Sequence, residues 1–160
     1  MLSQTIQKKL NEQVQKEFYS AYLYLSMKAY FVEKDLDGFA NFFDIQVKEE
    51  RDHALKIINY VEDAGGQLEL YAIDAPLKDF TSPVDIFERT YEHEQFVTKS
   101  IYEIVNLAIE EKDHKTSAFL QWFVDEQVEE EATMLKNLNK LNLIGDNSSG
   151  LFMLDAELAK

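Results

Sequence analysis

Apolar residues recur every three or four positions along most of this chain, which is the period of one face of an α-helix. The pattern predicts a first helix from Ser3 to about Val32 and a second that ends near Ala64, where Gly65-Gly66 supplies a stop. Only the short polar turn from Glu33 to Gly38 separates these two helices. We therefore expect them to pack antiparallel.

The segment from Gly65 to Thr81 keeps no sustained period and is long for a loop inside a domain. A helix of about 30 residues spans roughly 45 Å at ~1.5 Å per residue. About 17 extended residues at ~3.3 Å each can just cover that distance. We expect this segment to return along the whole bundle, which makes the second and third helices parallel and predicts an all-α, four-helix bundle with one long crossover.

The third helix should begin after Ser82, which reads as an N-cap, with Pro83 at the first helical position. Asp113-His114 marks a short reversal before a fourth helix that ends at Gly145. A short fifth helix is predicted at about residues 148–158 and is too short to be stable alone. We expect it to dock on the bundle or on a neighbouring subunit, with the core of the bundle complete without it. The bundle, at about residues 3–145, and this helix are predicted to form one domain spanning 1–160.

Each of the four long helices carries a carboxylate in the middle of its apolar face. The residues that interrupt the four faces are, in chain order, Glu17, Glu50 with His53, Glu94, and Gln127 with Glu130. The intervals between successive acids match the lengths of successive long helices, with the largest interval at the crossover. We therefore expect the acids to converge at one level of the bundle.

Buried acids need partners, because burying an unpaired charge is costly unless the group is neutralised. Four clustered acids and one imidazole would repel each other unless cations lie between them. Oxygen ligands with a single histidine suit pairs of iron or manganese ions better than zinc or copper. The sequence therefore predicts a centre for two metal ions inside the bundle.

Two aromatic residues lie next to the predicted centre. Tyr24 is two turns beyond Glu17 on the same face, and we expect it to pack there and to hydrogen-bond a carboxylate. His93 precedes Glu94 and is turned about 100° from the apolar face. We assign His93 a surface or interface role.

Composition narrows the functional classes. The formal net charge of -14 disfavours nucleic acid and anionic membranes as partners and favours cations. The absence of cysteine excludes disulfides, cysteine-ligated zinc, iron–sulfur clusters and thiol nucleophiles. No apolar stretch approaches the ~18 residues of a membrane span, and no secretory signal pattern is visible. We expect a cytoplasmic protein without a membrane or nucleic-acid partner.

With these acids, the histidine and the crossover in place, the sequence resembles the ferritins, most closely the bacterial non-haem ferritins, over essentially its whole length. The resemblance implies a ferritin-like bundle that assembles as a hollow homo-oligomeric shell of 24 subunits. It also implies an iron-storage protein with ferroxidase activity, in which O2 or H2O2 oxidises Fe(II) and the Fe(III) mineral is kept inside the shell.

The same resemblance implies roles for individual residues. Glu17, Glu50 and His53 correspond to ligands of a first iron, and Glu50, Glu94 and Glu130 to ligands of a second, with Glu50 as the bridge. Gln127 corresponds to a nearby polar residue and is also a candidate metal ligand. A third, inward-facing iron site is implied at Glu49, Glu126, Glu129 and Glu130. Three of these acids lie three and four residues apart on the fourth helix, where a cation would offset their repulsion.

Differences between this sequence and related families indicate which cofactors to expect. Bacterioferritins carry a second Glu-x-x-His on the fourth helix and a methionine beside the first histidine for haem, whereas this chain has Gln127, Glu130 and Asp52 at those places. We therefore expect iron without haem. Two alternatives stay open: a di-iron peroxidase for oxidative-stress defence, and a non-redox structural bundle whose acids are merely solvated.

Overall fold

The computed structural model describes residues 1–160 and contains five α-helices without any β-strand. The helices are α1 (Gln4–Glu33), α2 (Asp37–Asp63), α3 (Pro83–Glu110), α4 (His114–Ile144) and α5 (Ser148–Leu158). The predicted fold class, a four-helix bundle with one long crossover and a short fifth helix, is confirmed. None of the helices combines the length and apolarity that crossing a bilayer requires.

Side-chain caps explain where most of the helices begin. The Ser82 side chain accepts from the backbone N–H of Asp85 and Pro83 opens α3, as the sequence predicts. Ser3, Asp113 and Asn147 cap α1, α4 and α5 in the same way. Only α2 has no capping side chain of its own, because Leu36 occupies its N-cap position.

The segment between α2 and α3 runs along the outside of α1. Near its start, the carbonyl of Gln67 accepts a 3.0 Å hydrogen bond from Asn11. Near its end, the carbonyl of Leu77 accepts a 2.6 Å hydrogen bond from Ser26. The segment thus travels the length of the bundle, and α3 starts at the same end as α2, as predicted.

The apolar core is divided into two clusters, one towards each end of the bundle. One cluster contains Phe31, Phe39 and Phe87 near the α1–α2 turn, and the other contains Leu10 and Ile101 at the opposite end. On every long helix, the predicted acid lies in sequence between members of the two clusters. The bundle therefore holds a polar layer at mid-height between two apolar layers.

Helix α5 docks on its own subunit through one face. Leu154 is buried as part of the first core cluster, and the side-chain amide of Asn41 donates to the carbonyl of Leu158 at 3.2 Å. The expectation that the core is complete without this helix is therefore wrong. Phe152 and Met153 point away, with 62% and 74% of their surfaces exposed.

Candidate metal centre

The polar layer brings together the four acids and the histidine that interrupt the helix faces. Glu17, Glu50 and Glu94 are each 1% exposed, and His53 and Glu130 are each 5% exposed. The helical period turns each of them inward, and the packing of α1 against α2 and of α3 against α4 places them at the same level. A buried cluster with this many ionisable groups is unstable unless charge is compensated.

Three groups of ligand atoms overlap within this layer. In each group, one donor atom per residue lies within 4.8 Å of the others. The groups are Glu17 with Glu50 and His53, Glu50 with Glu94 and Glu130, and His53 with Glu126 and Glu130. The first two share Glu50, which is the arrangement that the resemblance implies for a bridged pair of metal ions.

Three carboxylate oxygens in the layer have no hydrogen-bond partner although they are fully buried. They are Oε2 of Glu17, Oε1 of Glu50 and Oε2 of Glu130. An unpaired buried acceptor costs about 1–3 kcal/mol, and more when it is charged. Such oxygens are suited to bind a cation, and their chemistry fits a hard metal ion such as iron or manganese.

The electrostatics of the layer divide the acids into two classes. Burial outweighs the hydrogen bonds that Glu94 receives and raises its pKa, and burial with the charges of Glu94 and Glu17 raises the pKa of Glu50 well above its ordinary value. Burial with the charges of Glu94 and Glu49 raises the pKa of Glu130 to about 9. Glu130 therefore holds its proton at neutral pH in the absence of metal, and the same effects favour the protonated forms of Glu50 and Glu94.

The pKa values of Glu17 and His53 shift in the directions that favour a carboxylate and an imidazolium. Burial would raise the pKa of Glu17, but the contacts with His53, Glu50 and Gln13 together outweigh burial and lower this pKa. Burial would lower the pKa of His53, but the carboxylates of Glu17 and Glu126 raise it. Nδ1 of His53 lies 3.2 Å from Oε2 of Glu50 and 3.8 Å from Oε2 of Glu17.

Hydrogen bonds orient the acid of α3. The hydroxyl of Tyr24 donates to Glu94, which is the hydrogen bond to a carboxylate expected for this tyrosine. Nε2 of Gln127 donates to Oε2 of Glu94 at 3.1 Å and to the hydroxyl of Thr98 at 3.0 Å. Gln127 thus turns its amide nitrogen toward Glu94, and direct ligation by Gln127 stays a prediction.

Comparisons with known proteins place this architecture in a family. The Ferritin-like domain family profile matches residues 7–144. The chain belongs to the ferritin-like family. It is 46% identical to the bacterial non-heme ferritin of Campylobacter jejuni over 155 residues, which cover 97% of this chain and 93% of that protein. It is 43% identical to the bacterial non-heme ferritin of Staphylococcus aureus strain MRSA252, over 99% of this chain and 95% of that protein.

A solved structure agrees with this assignment. The open-pore ferritin of the hyperthermophilic archaeon Archaeoglobus fulgidus superposes with a TM-score of 0.99 at 47% identity, over 99% of this chain and 98% of that chain. The resemblance to the ferritins inferred from the sequence is confirmed.

The acids expected at a third iron site of this ferritin-like chain are only partly brought together. Glu126 is half-buried, and its Oε1 lies 3.9 Å from Nε2 of His53. Burial raises the pKa of Glu49, which lies near enough to Glu126 and Glu130 for their charges to interact. Glu129 is exposed and belongs to none of the three groups of ligand atoms. The third site stays a prediction.

His93 is half-buried and contacts α1, and its surface or interface role stays a prediction. Its Nε2 is 2.7 Å from the hydroxyl of Ser20, and its ring packs edge-on against Tyr24 with 6.0 Å between centroids. Burial lowers the pKa of His93 to about 4. Helical rotation places His93 off the face of α3, but the neighbouring α1 covers that side, which the sequence of α3 does not show.

Two further residues near Glu17 were not found from the sequence. Gln13 is one turn before Glu17 on α1 and donates to its Oε1 at 3.0 Å. Ser100 of α3 donates to Oε1 of Gln13 at 2.6 Å. The one available signal was the position of Gln13, four residues before an inward-facing acid, whereas nothing in the sequence around Ser100 points to this contact.

Proposed function

We propose that this ferritin-like chain stores iron and oxidises it, with two Fe(II) ions as substrate at the polar layer. The three unpartnered carboxylate oxygens of Glu17, Glu50 and Glu130 carry this proposal, because they are buried in this cluster without any hydrogen-bond donor. Glu17 and His53 would hold one ion, Glu94 and Glu130 the other, and Glu50 would lie between them.

The chain supplies position and charge compensation for the reaction. Two Fe(II) ions lose one electron each, and O2 takes two electrons and two protons to become H2O2; with H2O2 as oxidant, two electrons and two protons yield two water molecules. Glu130 would release its proton on binding an ion, and Glu50 and Glu94, whose pKa values are also raised, would lose any proton they hold, because a metal competes with protons for the same oxygens. Trp122 and Phe123 lie edge-on to His53, at 5.3 and 6.0 Å between centroids, and limit the freedom of the imidazole.

Glu49, Glu126, Glu129 and Glu130 are proposed as a third iron site through which oxidised iron leaves the pair. The supporting observation is that the groups of ligand atoms share residues. The group that contains Glu126 shares His53 with the first group of the central pair and Glu130 with the second. An ion that moves outward can therefore exchange ligands one at a time.

Storage requires confinement, and we propose the homo-oligomeric shell of 24 subunits that the ferritin resemblance implies. Large apolar side chains remain exposed on the subunit surface, among them Leu143, Phe152 and Met153 around α5. Surfaces of this kind are typical of subunit contacts. We further propose that the chain works in the cytoplasm and without haem.

The test is rapid mixing of metal-free protein and two equivalents of Fe(II) with O2 or with H2O2, followed by absorbance of the ferric product. The intact chain should oxidise Fe(II) quickly, and Glu50→Ala should lose about 100-fold or more, because even residues that only support a ligand contribute 10–100-fold. Glu88→Ala, which removes an exposed acid of α3, is the matched control. Oxidation with H2O2 but not with O2 would indicate the peroxidase. If the protein catalyses oxidation with neither oxidant, it is the structural bundle.

A further inference from the structure

A chain of side-chain hydrogen bonds runs from the surface of the bundle to Glu17. Nζ of Lys16 donates to the hydroxyl of Ser100 at 2.8 Å, and this hydroxyl donates to Oε1 of Gln13 at 2.6 Å. Nε2 of Gln13 then donates to Oε1 of Glu17 at 3.0 Å. Gln13 is fully buried and Ser100 is 6% exposed, so water does not substitute for these contacts. The chain links α1 to α3 and ends on a residue of the metal centre.

The charge at its outer end sets the direction of every bond in this chain. An ammonium group can only donate, so the hydroxyl oxygen of Ser100 accepts from Lys16 and its one proton is free for Gln13. The carbonyl oxygen of the Gln13 amide accepts that proton, which leaves the NH2 group facing Glu17. The reverse orientation of the amide would place its oxygen against a carboxylate oxygen. Lys16 and Ser100 therefore select the orientation in which Gln13 donates to Glu17.

Glu17 uses its two oxygens differently as a result. Oε1 is occupied by Gln13, whereas Oε2 has no hydrogen-bond partner and lies on the side of His53. The hydrogen bond to Oε1 restricts the rotamers of Glu17, and it therefore orients Oε2 before any ion binds. Bonds that share one direction also polarise each other in a buried environment, which strengthens the last bond of the chain.

We infer that Gln13 is a positioning residue which, oriented by Ser100 and Lys16, holds Glu17 in the geometry that binds the first metal ion. This inference rests on the proposed function, since it assigns Glu17 to the metal centre. Residues that orient a ligand typically contribute 10–100-fold to metal affinity. The effect is confined to the ion bound by Glu17 and His53, because the chain makes no contact with Glu94 or Glu130.

The experiment is an anaerobic titration with Co(II), a redox-stable probe, followed by visible absorption and calorimetry alongside thermal unfolding. Gln13→Leu should weaken one of the two Co(II) sites by about 10–100-fold and leave the other unchanged. Ser100→Ala and Lys16→Met should weaken the same site to a smaller extent. Ser100→Thr and Lys16→Arg keep the hydrogen-bond donors and should bind Co(II) at this site as tightly as the unmodified protein. Gln15→Leu, which removes a half-buried amide from the same helix, is the matched control.

A packing role for Gln13 would lower the unfolding temperature without distinguishing the two sites, and that result would overturn the inference. Equal Co(II) affinities within about two-fold in all variants would overturn it as well. If Gln13→Leu fails to fold, Lys16→Met decides, because its change lies at the half-buried outer end of the chain. Loss of Co(II) binding and of Fe(II) oxidation in the unmodified protein would instead refute the proposed function. If the unmodified protein is active and the variants keep its Co(II) affinities, only the positioning role is refuted.

Discussion

Oδ1 of Asp155 in α5 accepts a 3.0 Å hydrogen bond from the backbone N–H of Phe39, at the start of α2. This is the N-cap that α2 lacks locally, because Leu36 has no side-chain acceptor. The fifth helix therefore completes the fold of its own subunit, in addition to presenting apolar side chains outward.

Replacing the acceptor should destabilise the subunit. Asp155→Ala is expected to lower the free energy of unfolding by about 1 kcal/mol, the usual value of an N-cap, while Asp155→Asn should retain most of it. Chemical denaturation followed by circular dichroism measures the change. Asp146→Ala, at an exposed position before α5, is the control. An equal effect of the two alanine variants would show that Asp155 contributes nothing specific.

A methyl group at Gly38 should displace α5. A Cβ added there would lie 1.7 Å from the backbone oxygen of Asp155, which is too close for any side chain. Gly38→Ala is expected to cost about 2–4 kcal/mol, because the overlap separates α5 from α2 and exposes Leu154. Limited proteolysis should cleave α5 in this variant. Gly150→Ala, whose Cβ would meet only Ile144 at 3.1 Å or more, is the matched control.

The metal-free protein should lose stability as the pH rises through neutrality. In the folded state Glu130 keeps its proton up to a pKa of about 9, whereas in the unfolded chain the group loses its proton near the ordinary value of 4.5. Between these values the native state binds more protons, so the free energy of unfolding falls as pH rises, by about 1.4 kcal/mol per pH unit for one group.

Glu130→Gln should reduce that slope, because an amide does not titrate. Denaturation in the presence of a chelator, from about pH 6 to about pH 8, provides the measurement. Glu88→Gln, at an exposed position, should leave the slope as in the unmodified chain. A slope that Glu130→Gln does not change would show that the carboxyl is ionised in the folded state.

The third iron site can be separated from the central pair. Glu49→Ala combined with Glu126→Ala should keep the initial rapid oxidation, since neither residue belongs to the two groups that share Glu50. The number of ions bound per subunit and the later transfer to the mineral should change. Rapid-mixing absorbance and metal titration measure both quantities. An unchanged iron stoichiometry in the double variant would show that these acids form a solvated face without an iron site.

Local periodicity determined much of this fold. The 3.6-residue period of a helix fixes which side chains share a face, so the inward position of Glu17, Glu50, Glu94 and Glu130 follows from each helix alone. The length of the segment after Gly65 determined the long crossover, because a chain must be long enough to return along the bundle. A site that consists of inward-facing residues at one level of a bundle can therefore be predicted from a single sequence.

Contacts between helices were decided by the tertiary structure. The partner of Gln13 is Ser100, 87 residues away, and the cap of α2 is Asp155, 116 residues away. Periodicity places a residue on a face of its own helix, but the rotation and height of the neighbouring helix depend on the packing of the whole core. For the same reason the sequence of α3 does not show that Ser20 and Tyr24 of α1 lie against His93.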